Sequence, residues 1–185
     1  MSLQMEVPTR ARASQYVAAV RAREALHARW VTPPRTVEVY HAWVLHLDGM
    51  QADARLVVNA ATDALVGAVT LGGIYRGPLH SAYLGYYVFA GFERQGWMRQ
   101  AVSWMLRHAF ATLKLHRLEA NIQPDNHASI ALAERLGFAW KGFPHAISKS
   151  LDAGVTTSAW HCCVKSGAIT VARSSAHART NRHRS

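Results

Sequence analysis

Apolar positions recur along the chain with two different periods, and the alternation between them predicts a mixed α/β fold. Runs of alternating or β-branched residues indicate strands, whereas apolar positions three and four residues apart indicate helices. In chain order, the predicted elements are a short strand within residues 1–8, helices over Arg10–Arg29 and Thr36–Leu47, strands over Ala54–Ala60, Leu65–Tyr75 and Tyr83–Phe89, a helix over Trp97–Leu115, a strand over His116–Gln123, a helix over His127–Leu136 and a strand from Phe138 to Phe143. This order predicts an antiparallel meander followed by one right-handed crossover.

Local signals define several element boundaries. Thr9 and Thr36 are the expected N-caps of the first two helices, and two prolines end the first of them. The dipeptide Thr62-Asp63 predicts a hairpin turn between the first two strands of the meander.

The stretch from Tyr83 to Val102 is expected to organise the rest of the chain, because it combines a strand, a loop with two glycines and the start of a helix. A loop that leads backbone N–H groups into a helix start can bind an anion. Gly96 allows a phosphate to approach the backbone closely, and Arg94 and Arg99 add positive charge. A plain connection between a strand and a helix explains the same stretch equally well.

Composition limits the class of protein. With 185 residues, of which 50% are hydrophobic and 17% charged, the chain is expected to form one domain. Its apolar runs are too short for a membrane span, and no signal segment is recognised. The adjacent Cys162 and Cys163 suit neither a disulfide framework nor a metal site. These features predict a cytoplasmic protein without a bound metal or a membrane partner.

The formal net charge of +10 invites a nucleic-acid interpretation, but its distribution weakens it. Residues 144–185 carry six basic residues and one acidic residue, and therefore half of the excess. The basic end, ARSSAHARTNRHRS, predicts a disordered tail over residues 166–185. Because this tail contains no aromatic residue for base stacking, nucleic acid is not the expected partner.

Four segments resemble a known family: YRGPLHSAYLGYYVF, FERQGWMRQAV, HRLEANIQPDN and NHASIALAERLGFAWKGF. Over about residues 5–143 the chain resembles the GNAT acetyltransferases, and Met98 resembles the RimJ/RimL type, which acetylates the N-termini of ribosomal proteins. The resemblance implies a mostly antiparallel, twisted sheet flanked by helices, with two central strands that splay apart. It also implies acetyl transfer from acetyl-CoA to the N-terminal α-amine of a protein, or alternatively to a small amine such as an amino acid or an aminoglycoside. A monomer or a homodimer is expected.

The resemblance also implies roles for individual residues. Glu119 is the implied general base for the attacking amine, and Ser129 the implied donor to the departing thiolate. A solvent-facing glutamate and an ordinary helix cap are the alternatives for these two residues. The residues implied for acetyl-CoA binding are Val88, Phe89, Arg94, Gln95, Gly96, Trp97, Met98, Asn126 and Ser129.

Two positions depart from the family pattern. Glu93 stands where the wider superfamily has Gln or Arg, and its charge is expected to weaken cofactor binding. Ala133 stands where other members have a tyrosine acid, so Ser129 or a water molecule would have to replace that acid.

The resemblance ends at about Phe143, although a single domain is expected over residues 1–165. Relatives continue with a hairpin rich in Tyr-Leu-Lys and Trp-Arg-Asp-His, whereas this chain continues as HAISKSLDAGVTTSAWHCCVKSG. Codons can be chosen for this string so that the neighbouring reading frame spells RYLKVAGRWRDHERLALLREKW. We therefore hypothesise that residues after about Phe143 are translated out of frame. A catalytically impaired CoA-binding protein is one consequence of that hypothesis.

Overall fold

The computed structural model describes residues 2–22, 30–47, 49, 51–140 and 160–165. In chain order, its elements are β1 (Leu3–Glu6), a 3₁₀ turn (Arg10–Arg12), α1 (Ala13–Arg21), α2 (Val37–Leu45), β2 (Asp53–Asn59), β3 (Ala64–Tyr75), β4 (Ser81–Val88), α3 (Trp97–Arg107), a π-helical turn (His108–Thr112), β5 (Arg117–Ile122), α4 (His127–Arg135), β6 (Ala139–Trp140) and β7 (Trp160–Lys165). The predicted end of the first helix at Arg29, the predicted strand end at Phe143 and the predicted tail lie outside the described residues. Within the described ranges, no helix is both long and apolar enough to cross a membrane.

The described strands form one sheet in the order β1-β2-β3-β4-β5-β7-β6. Neighbouring strands are antiparallel except for β4 and β5, which are parallel. A parallel pair requires a crossover connection, and α3 lies in the connection between β4 and β5. The predicted mixed α/β architecture, a meander followed by one crossover, is confirmed.

Two apolar clusters cover the two faces of this sheet. On one face, Trp97 and Met105 of α3 pack with Leu84 and Leu118. On the other face, α1 and α2 pack against the meander through a second cluster that includes Tyr16, Tyr40, Val58 and Phe89. Because side chains alternate along a strand, successive residues of β4 and β5 belong to different faces, and the two faces can serve different molecules.

The two predicted N-caps have different outcomes. The side chain of Thr36 accepts a hydrogen bond from the N–H of Val39 at 3.3 Å, so this cap is confirmed. Thr9 occupies the predicted N-cap position, but its helical segment begins as a 3₁₀ turn and its side chain makes no cap hydrogen bond. The carbonyl of Thr9 accepts from the N–H of Arg12 and from the hydroxyl of Tyr40. The tyrosine belongs to α2, which no local pattern around Thr9 could indicate.

The crossover helix is shorter than predicted. The prediction extended it to Leu115, whereas α3 ends at Arg107 and a π-helical turn follows. In that turn the N–H of Leu113 bonds to the carbonyl of His108, five residues earlier. The His108 side chain contacts the buried carboxylate of Asp53 in β2 at 2.8 Å. The π-helical turn, which is wider than an α-helical turn, thus begins at the residue that joins the end of α3 to β2.

Arg12 joins the start of α1 to two other parts of the fold. Its guanidinium forms ion pairs with Glu6, which ends β1, at 2.8 Å and with Asp63 in the β2–β3 turn at 2.7 Å. Asp63 has a φ of 54°, as expected for a short polar residue in a tight hairpin turn. The predicted turn at Thr62-Asp63 is therefore confirmed, and the Arg12 side chain holds it against the N-terminal elements.

Candidate active site

The parallel strands β4 and β5 open into a gap. Their register joins Ser81–Tyr83 to Arg117–Glu119 and ends there. β4 nevertheless remains paired with β3 as far as Val88, and the N–H of Phe89 donates to the carbonyl of Val66 in β3 at 2.7 Å. Successive residues of a strand point their backbone groups to opposite sides, so Val88 directs its N–H and C=O toward the gap. Of the two residues expected to meet pantetheine with their backbone, Val88 faces the gap and Phe89 faces β3.

The loop after β4 is held in shape by its own side chains. The Glu93 carboxylate accepts a hydrogen bond from the N–H of Gly91 at 2.7 Å, and the Gln95 side chain donates to the carbonyl of Gly91 at 2.6 Å. The indole N–H of Trp97 donates to Gln95 Oε1. Glu93 therefore has a structural use within the loop, and the Gln95 side chain is engaged there rather than directed at a ligand.

The start of α3 has the features of an anion site. Gly96 is the N-cap residue with a φ of 85° and no side-chain cap, and the first turn contains no acidic residue. A Cβ built on Gly96 meets nothing within 4 Å, so the space beside its backbone is open. Exposed Arg94, with a φ of 59°, and exposed Arg99 lie on either side of it in the sequence. Backbone N–H groups, a helix dipole and two cations fit a diphosphate such as that of CoA.

Two residues predicted for this site can contribute only through their backbone. The Trp97 side chain is buried in the core, and the partly buried Met98 side chain packs against the same cluster. Their N–H groups nevertheless belong to the first turn of α3, where helical hydrogen bonding has not yet begun. Trp97 is thus a core residue.

Asn126 and Ser129 lie together at the start of α4. Asn126 is the N-cap, and its side-chain oxygen accepts from the N–H of Ser129 at 3.2 Å. The capping role, which was the alternative to cofactor binding, is therefore present. A second contact was not predicted: the hydroxyl of Tyr86 in β4 donates to the carbonyl of Ser129 at 3.1 Å. This bond crosses from the open part of β4 to the first turn of α4.

Glu119 lies where the gap begins. Its neighbours Leu118 and Ala120 belong to the cluster under α3, so alternation places the Glu119 side chain on the opposite face, with α1 and α2. Glu119 Oε1 forms an ion pair with Arg117 Nη2 at 2.7 Å, and its side chain is 20% exposed. Among the described residues, no group of three His, Cys, Asp or Glu side chains could hold a metal ion.

A cavity of about 390 Å³ opens on this same face of the sheet. Two prolines and Trp43 form one side of it, and β3 and β4 form the other. The described residues that line it are Val31, Thr32, Pro33, Pro34, Val39, Trp43, Thr70, Gly85, Tyr86 and Tyr87. None of these side chains carries a formal charge. At Gly85 a Cβ would lie 2.7 Å from Thr70 Oγ1, so a glycine keeps this wall flat.

A hydrogen-bonded pair of tyrosines, buried Tyr16 and partly buried Tyr87, supports the wall of this cavity. The hydroxyls of Tyr87 in β4 and Tyr16 in α1 are hydrogen bonded, and the Tyr16 ring stacks on Trp43 at 5.8 Å. Burial raises the pKa of both tyrosines above the usual value, so both hydroxyls stay protonated at neutral pH. Sequence reasoning did not single out Tyr86, Tyr87 or the proline-containing segment as parts of a site. The two consecutive prolines were the one local signal of a rigid wall.

Comparison with known proteins assigns the family. Residues 3–139 match the acetyltransferase (GNAT) domain, and the chain therefore belongs to the GNAT acetyltransferases. It is 38% identical over 86 residues to a probable N-acetyltransferase, YjcK, of Bacillus subtilis, covering 46% of this chain and 48% of that protein. It is 33% identical over 79 residues to the [ribosomal protein uS5]-alanine N-acetyltransferase of Escherichia coli, covering 43% of this chain and 41% of that enzyme. The chain thus spans about half the length, or less, of these curated relatives.

Solved structures share the fold. A ribosomal-protein-S5-alanine acetyltransferase from Vibrio fischeri superposes with a TM-score of 0.80 at 21% identity, covering 89% of this chain and 93% of that one. A spermidine N-acetyltransferase from Vibrio cholerae, solved with CoA and spermine, superposes with a TM-score of 0.74 at 17% identity, covering 90% and 97%. The expected GNAT fold is confirmed. Because proteins named for different acceptors share it, the fold alone does not select an acceptor.

Proposed function

We propose that this chain transfers an acetyl group from acetyl-CoA to the N-terminal α-amine of a protein. The α-amine of a ribosomal protein is the specific acceptor we favour, in line with the names of two of the relatives. The observation that carries the choice of acceptor is the uncharged lining of the cavity beside the β4–β5 gap. The anion site at the start of α3, the open backbone at Val88 and the start of α4 support acetyl-CoA as the donor.

The cavity disfavours acceptors with several positive charges. A polyamine or an aminoglycoside would bring several ammonium groups to walls that offer no carboxylate among the described lining residues. Burying an unpaired ammonium is costly, so such a ligand would bind weakly. The first residue of a peptide carries a single ionisable amine, and its side chain can contact Trp43 and Tyr87.

The pKa of the acceptor amine gives a second reason to favour an α-amine. An α-amine has a pKa of about 8, whereas an alkyl ammonium such as that of lysine has a pKa of about 10.4. At pH 7.5 about a quarter of the α-amine is therefore neutral, against about one part in a thousand of the alkyl amine. Only the neutral amine can attack the thioester, so an α-amine demands less of the base. Glu119 would take the remaining proton on the same face as the cavity, and Asn126 and Ser129 would meet the thioester end of the donor.

A thiol-release assay tests this proposal. The purified chain would be given acetyl-CoA with a peptide that begins with alanine, the same peptide with a blocked N-terminus, spermidine, an aminoglycoside and a free amino acid. We expect release only with a free N-terminus, and kcat/KM for the peptide at least tenfold above that for spermidine. Thiol release with the blocked peptide would show that a side chain, and not the N-terminus, accepts the acetyl group. Faster turnover of the free amino acid would support the small-amine alternative, which the volume of the cavity accommodates.

A further inference from the structure

Tyr86 connects β4 to the start of α4. It lies in the part of β4 that lines the acceptor cavity, whereas its ring packs against the apolar cluster under α3 and its hydroxyl donates to the carbonyl of Ser129. Alternation along β4 agrees with this placement, because the next residue, Tyr87, packs with α1 on the opposite face.

The bond reaches the helix turn that carries the candidate donor-site residues. Ser129 is tied to Asn126 through its own N–H, so the carbonyl that receives Tyr86 belongs to the same capped turn. A carbonyl oxygen has two acceptor sites, so it can receive the hydroxyl in addition to a helical N–H. Movement of the Tyr86 ring would therefore move the first turn of α4.

This contact crosses the place where backbone pairing is missing. β4 and β5 are paired only through Tyr83, three residues before Tyr86, and the following part of β4 relies on β3 alone. Strands that have separated need another link if groups on both sides are to keep a fixed distance. The hydroxyl of Tyr86 supplies such a link between β4 and the helix that follows β5.

We propose that Tyr86 is a positioning residue that supports the acetyl-CoA site by holding the first turn of α4 against the open part of β4. This role rests on the proposed function only in taking acetyl-CoA as the ligand of that turn, and it requires no particular acceptor. The tethered helix presents Asn126 and Ser129 to the donor.

Two tyrosine-to-phenylalanine variants provide a matched test. Tyr86→Phe keeps the ring and removes the donor to Ser129. Tyr40→Phe is the control, because the Tyr40 hydroxyl also donates to a backbone carbonyl, that of Thr9, at 3.1 Å, but lies outside the cavity lining and far along the chain from α4. Both changes remove one hydrogen bond of the same kind and length, so their effects on thermal stability should be similar.

We expect Tyr86→Phe to raise the Kd of CoA, measured by calorimetry without acceptor, by about 2- to 10-fold, the range for one net hydrogen bond. Amide hydrogen exchange in the first turn of α4 should accelerate in the same variant. Tyr40→Phe should change neither quantity. The proposal is overturned if exchange in α4 is the same in Tyr86→Phe and the unaltered chain, or if Tyr40→Phe reproduces both effects.

The acceptor gives a further readout. Tyr86→Phe should leave the KM for a peptide nearly unchanged, because the Tyr86 ring packs on the face of the sheet opposite the cavity. If no peptide is acetylated by the unaltered chain, the proposed acceptor is wrong, but the exchange comparison in α4 still decides whether Tyr86 positions that helix.

Discussion

Replacement of Gly96 by aspartate should eliminate measurable CoA binding while leaving the fold intact. A side chain at this position enters open space, since a Cβ on Gly96 has no heavy atom within 4 Å. The φ of 85° imposes strain of about 1 kcal/mol on a non-glycine residue, and aspartate is among the residues that tolerate this conformation best. The protein should therefore fold with a small loss of stability.

The electrostatic effect on the ligand is larger than this strain. A carboxylate about 5 Å from one phosphate charge, at an effective dielectric constant of about 20, costs about 3 kcal/mol. A cost of this size corresponds to a loss of roughly 10²-fold in affinity for each phosphate charge. The same carboxylate can also accept hydrogen bonds from the N–H groups of the first turn, which removes donors from the diphosphate.

Calorimetric titration with CoA, together with a thermal melt of each variant, measures these effects. Gly96→Asn is the matched control, because asparagine has nearly the same size and backbone strain but no charge. We expect a loss of tenfold or less for asparagine and roughly 10²-fold or more for aspartate. Equal affinities of the aspartate variant and the unaltered chain would refute the placement of the diphosphate at the start of α3.

The remaining predictions concern catalysis and stability. Glu119→Gln should lower kcat roughly 10²-fold with only a small fall in melting temperature, because glutamine preserves shape but loses the basicity and the partly exposed ion pair with Arg117. Hydrogen bonding to Arg12 lowers the pKa of the Asp63 carboxyl in the folded protein. The Asp63 carboxylate therefore stabilises the fold at pH values above its pKa in the unfolded chain, and this stabilisation disappears as pH falls through its pKa in the folded protein. Asp63→Asn should accordingly lower the melting temperature at pH 7 but have little effect near pH 2. Gly67→Ala should cost about 3 kcal/mol, because its Cβ would lie 2.2 Å from a carbonyl oxygen of β4, whereas Gly72→Ala in the same strand meets nothing within 4 Å.

Each of these predictions has a contradicting result. An unchanged pH–rate profile in Glu119→Gln would assign proton removal to water or to the free amine. An equal fall in melting temperature at both pH values for Asp63→Asn would show that the carboxylate acts through packing rather than charge. Similar melting temperatures for the two glycine variants would show that β3 and β4 can separate locally without cost.

Local signals predicted the backbone of the proposed donor side of the site. The aromatic run of β4, the loop glycines and the change to a helical period predicted a strand, a loop and a helix start, and Gly96 has a positive φ at that helix start. These features lie within one continuous stretch, Tyr83–Val102. Sequence alone could therefore indicate an anion site before any long-range contact was known.

The acceptor side could not be predicted in this way. Its cavity combines the segment of residues 31–34 with Trp43, Thr70 and Gly85–Tyr87, which only the packing of α2 on the sheet brings together. Likewise, Tyr86 reaches Ser129, 43 positions later in the chain. Amphipathic periods show which face of an element is buried, but not which element covers it.

The segment after Phe143 can be tested at the level of the gene. Most of it lies outside the described residues, but its strand β7 pairs along the whole of β5, with Cys163 opposite Glu119. In the neighbouring frame, the codons that encode WHCCVK in β7 can also encode LALLRE, which has the same number of apolar residues and belongs to the hairpin that the family would show. If the frame hypothesis is right, sequencing the coding DNA will show this string. Restoring that frame should then raise the melting temperature and increase acetyl transfer, because the restored segment carries the side chains of the family's hairpin. A coding sequence whose neighbouring frame does not contain the string would end the hypothesis, and WHCCVK would then be the native partner of β5.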